Sequence, residues 1–120
     1  MEISFTSKNI EFIPEWQENR ADSNPIRATL KFLNTAQRTT LLPWDSDTEG
    51  HVRMKPDRRG LLLAGLEKLE NCVMVDRDTG AKKEIKTAFE LLGAYGLEGL
   101  AIEIATEIMS MNARGTEKNF

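Results

Sequence analysis

The apolar positions of this chain fall into two periods, one of three to four residues and one of two. From Leu97 onward, Leu97, Leu100, Ala101, Ile104, Ala105, Ile108 and Met111 recur every three or four residues, with Glu103, Thr106, Glu107 and Ser110 opposite. The spacing predicts an amphipathic helix over 97–111. Ile102 and Met109 lie beside that stripe and widen the apolar arc to roughly 200°, whereas a helix resting on one core needs only a little over ~100°. The second flank needs cover, either from a neighbouring element of the same domain or from a partner chain. Met109 and Met111 suit both, because flexible thioethers fill core gaps and also adapt to partner surfaces.

Just upstream, Thr87 and Glu90 stand three residues apart ahead of an apolar run, the spacing of a capping box. A short helix near 88–95 is expected, with Phe89, Leu91 and Leu92 on its buried side. Gly93 and Gly96, poor in helix interiors, break it before Leu97.

The two-residue period dominates the N-terminal third. Ile3 and Phe5, then Ile10 and Phe12, alternate with polar residues and read as an N-terminal hairpin that Pro14 ends. The stretch 15–25 reads as an exposed loop, with Trp16 either folded back as a lid over the sheet edge or offered to a partner. Ile26, Ala28, Leu30 and Phe32 alternate with Arg27, Thr29 and Lys31, which predicts a strand over 26–33 with one dry and one wet face. Asn34 or Thr35 can cap a helical turn through Arg38, although Thr39 and Thr40 weaken it and Pro43 stops it.

Asp57 can cap a helix near 58–70 whose Leu61, Leu62, Leu63, Leu66 and Leu69 would form one side of the core. In that helix Arg58 and Arg59 stand near the positive end of the dipole and Glu67 and Glu70 near the negative end, so local stability did not choose those charges. Short strands near 72–75 and 81–85 flank an Asp76–Gly80 turn. These elements predict an α+β fold: a small antiparallel sheet, made of the hairpin, the 26–33 strand and the two short strands, packed by helices near 58–70, 88–95 and 97–111. A single domain over 1–112 and a polar, fraying tail over 113–120 complete the expected layout.

Composition narrows the function. At 120 residues, 40% hydrophobic and 29% charged, this is the make-up of an ordinary soluble domain. A net charge of -3 argues against a general nucleic-acid binder. The lone Cys72 suggests a reducing compartment, and no signal peptide or membrane-length apolar run interrupts the reading of a soluble intracellular protein.

Catalytic and metal chemistry find little to work with. Asp45, Asp47, Glu49 and Gly50 open like a calcium loop, but Pro56 stands where the twelfth ligand belongs, so 41–56 reads as a solvated, poorly patterned loop. His51 is the only histidine and reads as a surface residue; a zinc site or an acid–base constellation would need partners that the sequence lacks. The glycines at 93, 96 and 99 do not form a phosphate loop, and Glu103 and Glu107 read as a solvated helix face. No catalytic residue, cofactor or metal is expected, and the chain reads as a non-enzyme. Arg53, Lys55, Arg58 and Arg59 form a short basic cluster, either solvated or able to hold an acidic segment or a phosphate.

Two runs carry a family resemblance. FIPEWQENRADSNPIRATLKFL resembles the opening of small proteins encoded among the tail genes of long-tailed bacteriophages. DRDTGAKKEIKTAFELLGAYGLEGLAIEIATEIMSMNARGTEKNF resembles the close of phage tail assembly chaperones, where a turn and short strand precede a threonine-capped helix, a long amphipathic helix and a lysine-asparagine-phenylalanine ending. The resemblance implies a non-enzymatic assembly factor of the host cytoplasm that binds the helical tape-measure protein, keeps it soluble until tail-tube subunits polymerise around it, and leaves the particle. It also implies that a longer frameshifted product can exist. Tape-measure protein is the expected partner, with tail-tube subunits and a second copy of the chain as further ones, and neither nucleic acid nor membrane. The candidate contacts are Ile102, Met109 and Met111, with Arg58 and Arg59 supplying charge. The alternative is a structural subunit, a head-tail connector or tail-completion protein, retained in the virion.

Overall fold

A computed structural model describes residues 1–3, 8–46, 50 and 52–117, and for the strand residues 44–46 and 52–54 and the helix residues 113–117 it describes the backbone only. The fold is α+β. Its elements run β1 (Ile10–Phe12), a 3-10 segment (Trp16–Ala21), β2 (Arg27–Leu30), α1 (Thr35–Leu41), β3 (Trp44–Ser46), β4 (Val52–Met54), α2 (Arg58–Gly65), β5 (Leu66–Glu70), β6 (Val73–Val75), β7 (Lys82–Glu84), α3 (Ala88–Gly93) and α4 (Glu98–Glu117).

Among the described residues the strands form three separate antiparallel sheets where one was expected: β1-β2-β5, the ribbon β3-β4 and the ribbon β6-β7. In the largest, Ile10 stands opposite Leu30 and Phe12 opposite Ala28, so β1 pairs with β2. Of the first arm of the expected N-terminal hairpin, Ile3 is exposed and belongs to no strand, while Phe5 lies outside the described residues. On the other side of β2, Ala28 faces Leu69 and Leu30 faces Leu66, with an irregularity between Thr29 and Leu30. Leu66 and Leu69 are three residues apart, so in a regular strand of period two they would face opposite ways. The extra residue of the bulge turns both inward, and both are buried.

That bulge corrects the expected 58–70 helix. Asp57 caps it as predicted, accepting from the Gly60 N–H at 3.0 Å, but the helix ends at Gly65 and the chain continues as a strand. Leucines at 62, 66 and 69 imitate a helical stripe because a bulged strand also brings residues three apart to one face. The helix-dipole conflict is thereby halved: Glu67 and Glu70 lie on β5, where Glu67 pairs with Lys31 at 3.3 Å and Glu70 with Lys68 at 2.9 Å. Two further expectations change. The helix after Asn34 runs to Leu41, because Asn34 and Gln37 form a reciprocal capping box that outweighs the two threonines. The stretch read as a patternless loop contains the β3-β4 ribbon, while Asp47, Glu49 and His51 lie outside the described residues.

The core lies between the β1-β2-β5 sheet and the helices. Ala28, Leu30, Leu61, Leu62, Leu69, Leu91, Leu100, Ile104 and Ile108 are almost wholly buried. Strand alternation and the four-residue repeat of α4 meet there, as burial of their apolar faces requires. The helix α2 packs along α4 so closely at Gly65 that a Cβ there would lie 2.7 Å from Cγ2 of Ile108. Asn112, 2% exposed, accepts from the Leu33 N–H at 2.9 Å and donates to the Ile108 carbonyl at 2.7 Å, fastening α4 to the end of the β2 segment. The helix then continues to Glu117, through residues expected to fray as a polar tail.

The 3-10 segment lies against the start of α4. Both oxygens of Glu103 accept main-chain N–H groups, from Glu15 at 2.7 Å and from Trp16 at 2.9 Å. Glu103 is thus a cap for a distant segment and not the solvated face expected. The Trp16 ring covers Gly99, where a Cβ would come within 2.9 Å of its Nε1, so the lid predicted for the sheet edge closes on α4.

Candidate functional site

The start of α2, the end of α3 and the first turns of α4 enclose an open groove of about 290 Å³. Local sequence sets each wall. Thr87 starts α3 by accepting from the Glu90 N–H at 3.1 Å, and α3 stops at Gly93 as expected. The chain then turns through Gly96, whose φ of 82° belongs to the left-handed region that glycine enters without steric cost. This short turn joins α3 to α4, and Leu62, Leu91, Leu92 and Ala101 form the apolar floor between them and α2.

The charged rim is uneven. Arg58 and Arg59 stand on one side, and Glu98, the first residue of α4, also lines the groove. Arg58 and Arg59 are exposed, and among the described residues no ion pair involves either. They occupy the first two positions of α2, where the dipole disfavours positive charge and only the capping carboxylate of Asp57 offsets it.

The structure divides the expected contact residues. Ile102 is 47% exposed and lines the groove together with Arg58 and Arg59, more than forty positions away in sequence. Met109 is partly buried against the core, and Met111, at 4% exposure, belongs to it. The second flank of α4 is therefore covered by its own domain towards the C-terminal end and open at Ile102. Phe89, expected on the buried side of α3, is 72% exposed; Ala88 and Leu91 take the buried side instead, and Tyr95 beyond the helix end is 90% exposed. Glu98, Leu62, Leu92 and Ala101 escaped sequence reasoning as site residues. No periodicity within one segment reports that three helix ends converge.

Other chemistry at the described positions is sparse. Burial pushes the Cys72 thiol up from its ordinary value, which suppresses the nucleophilic thiolate. Among the described residues no group of three histidine, cysteine or acidic side chains is placed to hold a metal ion, and no helix is long and apolar enough to cross a membrane. A second hollow, between Trp16 and Asn19 on one side and Asn71 to Met74 on the other, is lined by the amides of Gln17, Asn19, Asn24 and Asn71 and by the carboxylates of Glu18 and Asp22.

Comparisons with known protein families, curated proteins and solved structures give no significant match.

Proposed function

We propose that the chain is a non-enzymatic phage assembly factor, a tail assembly chaperone that holds the tape-measure protein soluble in the host cytoplasm before tail-tube subunits enclose it. The observation that carries this reading is the convergence of Ile102, Arg58 and Arg59 on one open groove with an apolar floor. An amphipathic helix docks by laying apolar side chains into such a groove, with nearby charge setting encounter rate and partner choice. The family resemblance of the first and last thirds of the chain supplies the identity of the partner. Met109 and Met111 contribute from within, by supporting the helix that carries Ile102.

The test is co-expression of tape-measure fragments with the wild-type chain and with Ile102→Glu. Wild type is expected to keep a fragment in the soluble fraction and the variant to lose it, while circular dichroism shows the variant folded. A fragment equally soluble with both would remove the groove from the function.

One observation favours a structural subunit retained in the virion. Val73 and Val75 are about half exposed on the separate β6-β7 ribbon, and apolar strand edges invite self-association. Mass spectrometry of purified particles distinguishes the two: a chaperone is absent, and a structural subunit is present in fixed number.

A further inference from the structure

We infer that the groove selects an amphipathic helix with carboxylates flanking its apolar face; this rests on the reading of the groove as a helix-docking site and specifies the chemistry of its occupant. Three features of the groove lead there. Its floor is apolar at Leu92 and Ala101, with Ile102 half exposed beside them, so an occupant gains by burying aliphatic side chains. Its rim carries two guanidinium groups against the single carboxylate of Glu98, a local excess of positive charge on a chain whose net charge is -3. Those guanidiniums belong to adjacent residues at the start of α2, and among the described residues none is engaged in an ion pair.

A carboxylate brought to Arg58 or Arg59 gains a charge-assisted hydrogen bond, bidentate where the geometry allows, and also relieves the clash between positive charge and the positive end of α2. A lysine brought to the same place adds to that clash. Glu98 gives the choice a direction, because an occupant that carries a basic residue does best with that residue towards α4 and its acidic side towards α2. Electrostatic preference of this kind is strongest at low ionic strength and falls as the Debye length shortens.

The test uses the full chain and two designed sixteen-residue amphipathic peptides with the same leucine face, one flanked by glutamates and the other by lysines, with binding read by fluorescence anisotropy at low and high salt. The glutamate peptide is expected to bind about tenfold or more tightly at low salt, with the difference shrinking at high salt. In Arg58→Glu/Arg59→Glu the preference should reverse, and in Ile102→Glu both peptides should weaken. Arg58→Gln/Arg59→Gln serves as a second variant and should erase the preference without reversing it. Equal binding of the two peptides, weakened by Ile102→Glu, would overturn the acidic selectivity and leave the groove reading standing. Failure of both peptides to bind, or binding indifferent to Ile102→Glu, would overturn the groove reading and the selectivity with it.

Discussion

Glu103 on α4 accepts the main-chain N–H of Trp16 at 2.9 Å and, through its other oxygen, that of Glu15 at 2.7 Å. One carboxylate therefore satisfies two donors at the start of the 3-10 segment, 87 and 88 positions away in sequence, and fixes where Trp16 lies on Gly99. Replacing Glu103 by Ala leaves both donors without this partner and should cost about 1–2 kcal/mol, the scale of hydrogen bonds to a charged group at a partly exposed site. Glu103→Gln retains one acceptor and should cost less. Thermal unfolding measures the cost, and hydrogen exchange at Glu15 and Trp16 locates it; unchanged exchange at those two amides in Glu103→Ala would contradict the tie.

Gly65 is where α2 and α4 come closest. The Cβ of Gly65→Ala would press on Ile108, and the overpacking should destabilise the fold by about 1–3 kcal/mol. In the Gly65→Ala background, Ile108→Val should recover part of that loss, whereas in the wild-type chain the same change costs about 0.5–1.5 kcal/mol. A double-mutant cycle by chemical denaturation reads the coupling, and strictly additive effects would show that the approach is not limiting.

Asn112 ties α4 to the main chain at Leu33. Asn112→Ala strands the buried Leu33 N–H and should cost about 1–3 kcal/mol. Asn112→Leu fills the volume but leaves the same donor unpaired, so it should recover little stability. Denaturation midpoints for the two variants separate lost packing from the lost hydrogen bond.

Asp76 opens the β6-β7 turn by accepting from the main-chain N–H of Asp78 at 2.8 Å and of Thr79 at 3.3 Å. These bonds, that from Asp78 first, hold its carboxyl below the usual aspartate value. Because the folded-state value is depressed, the turn's contribution is present above the unfolded value of ~3.9 and is lost as pH falls through the folded one. An NMR titration should place the Asp76 midpoint below ~3.9, and a midpoint at or above that value would mean that the turn bonds do not persist in solution.

Sequence alone determined the features whose cause is local. Thr87 and Glu90 mark the start of α3, Gly93 and Gly96 its end, Ala28 and Leu30 the buried face of β2, and Leu100, Ile104 and Ile108 the core stripe of α4. In each case a cap, a backbone angle or a periodicity acts within a few residues. Tertiary structure decided the rest. Leu66 and Leu69 became strand residues because β2 supplies hydrogen-bond partners and a bulge turns both inward, which no local period distinguishes from a helix. Phe89 became exposed because α3 had only one face to bury against the core, and Ala88 and Leu91 occupied it. Glu103 became a cap because a segment from the other end of the chain arrived with two unpaired N–H groups. Ile102 and Met109 share one flank of α4, and only the way the domain wraps that helix left the first half open and the second partly covered. Burial belongs to the whole chain, since a side chain loses its water only when a distant element comes to rest on it.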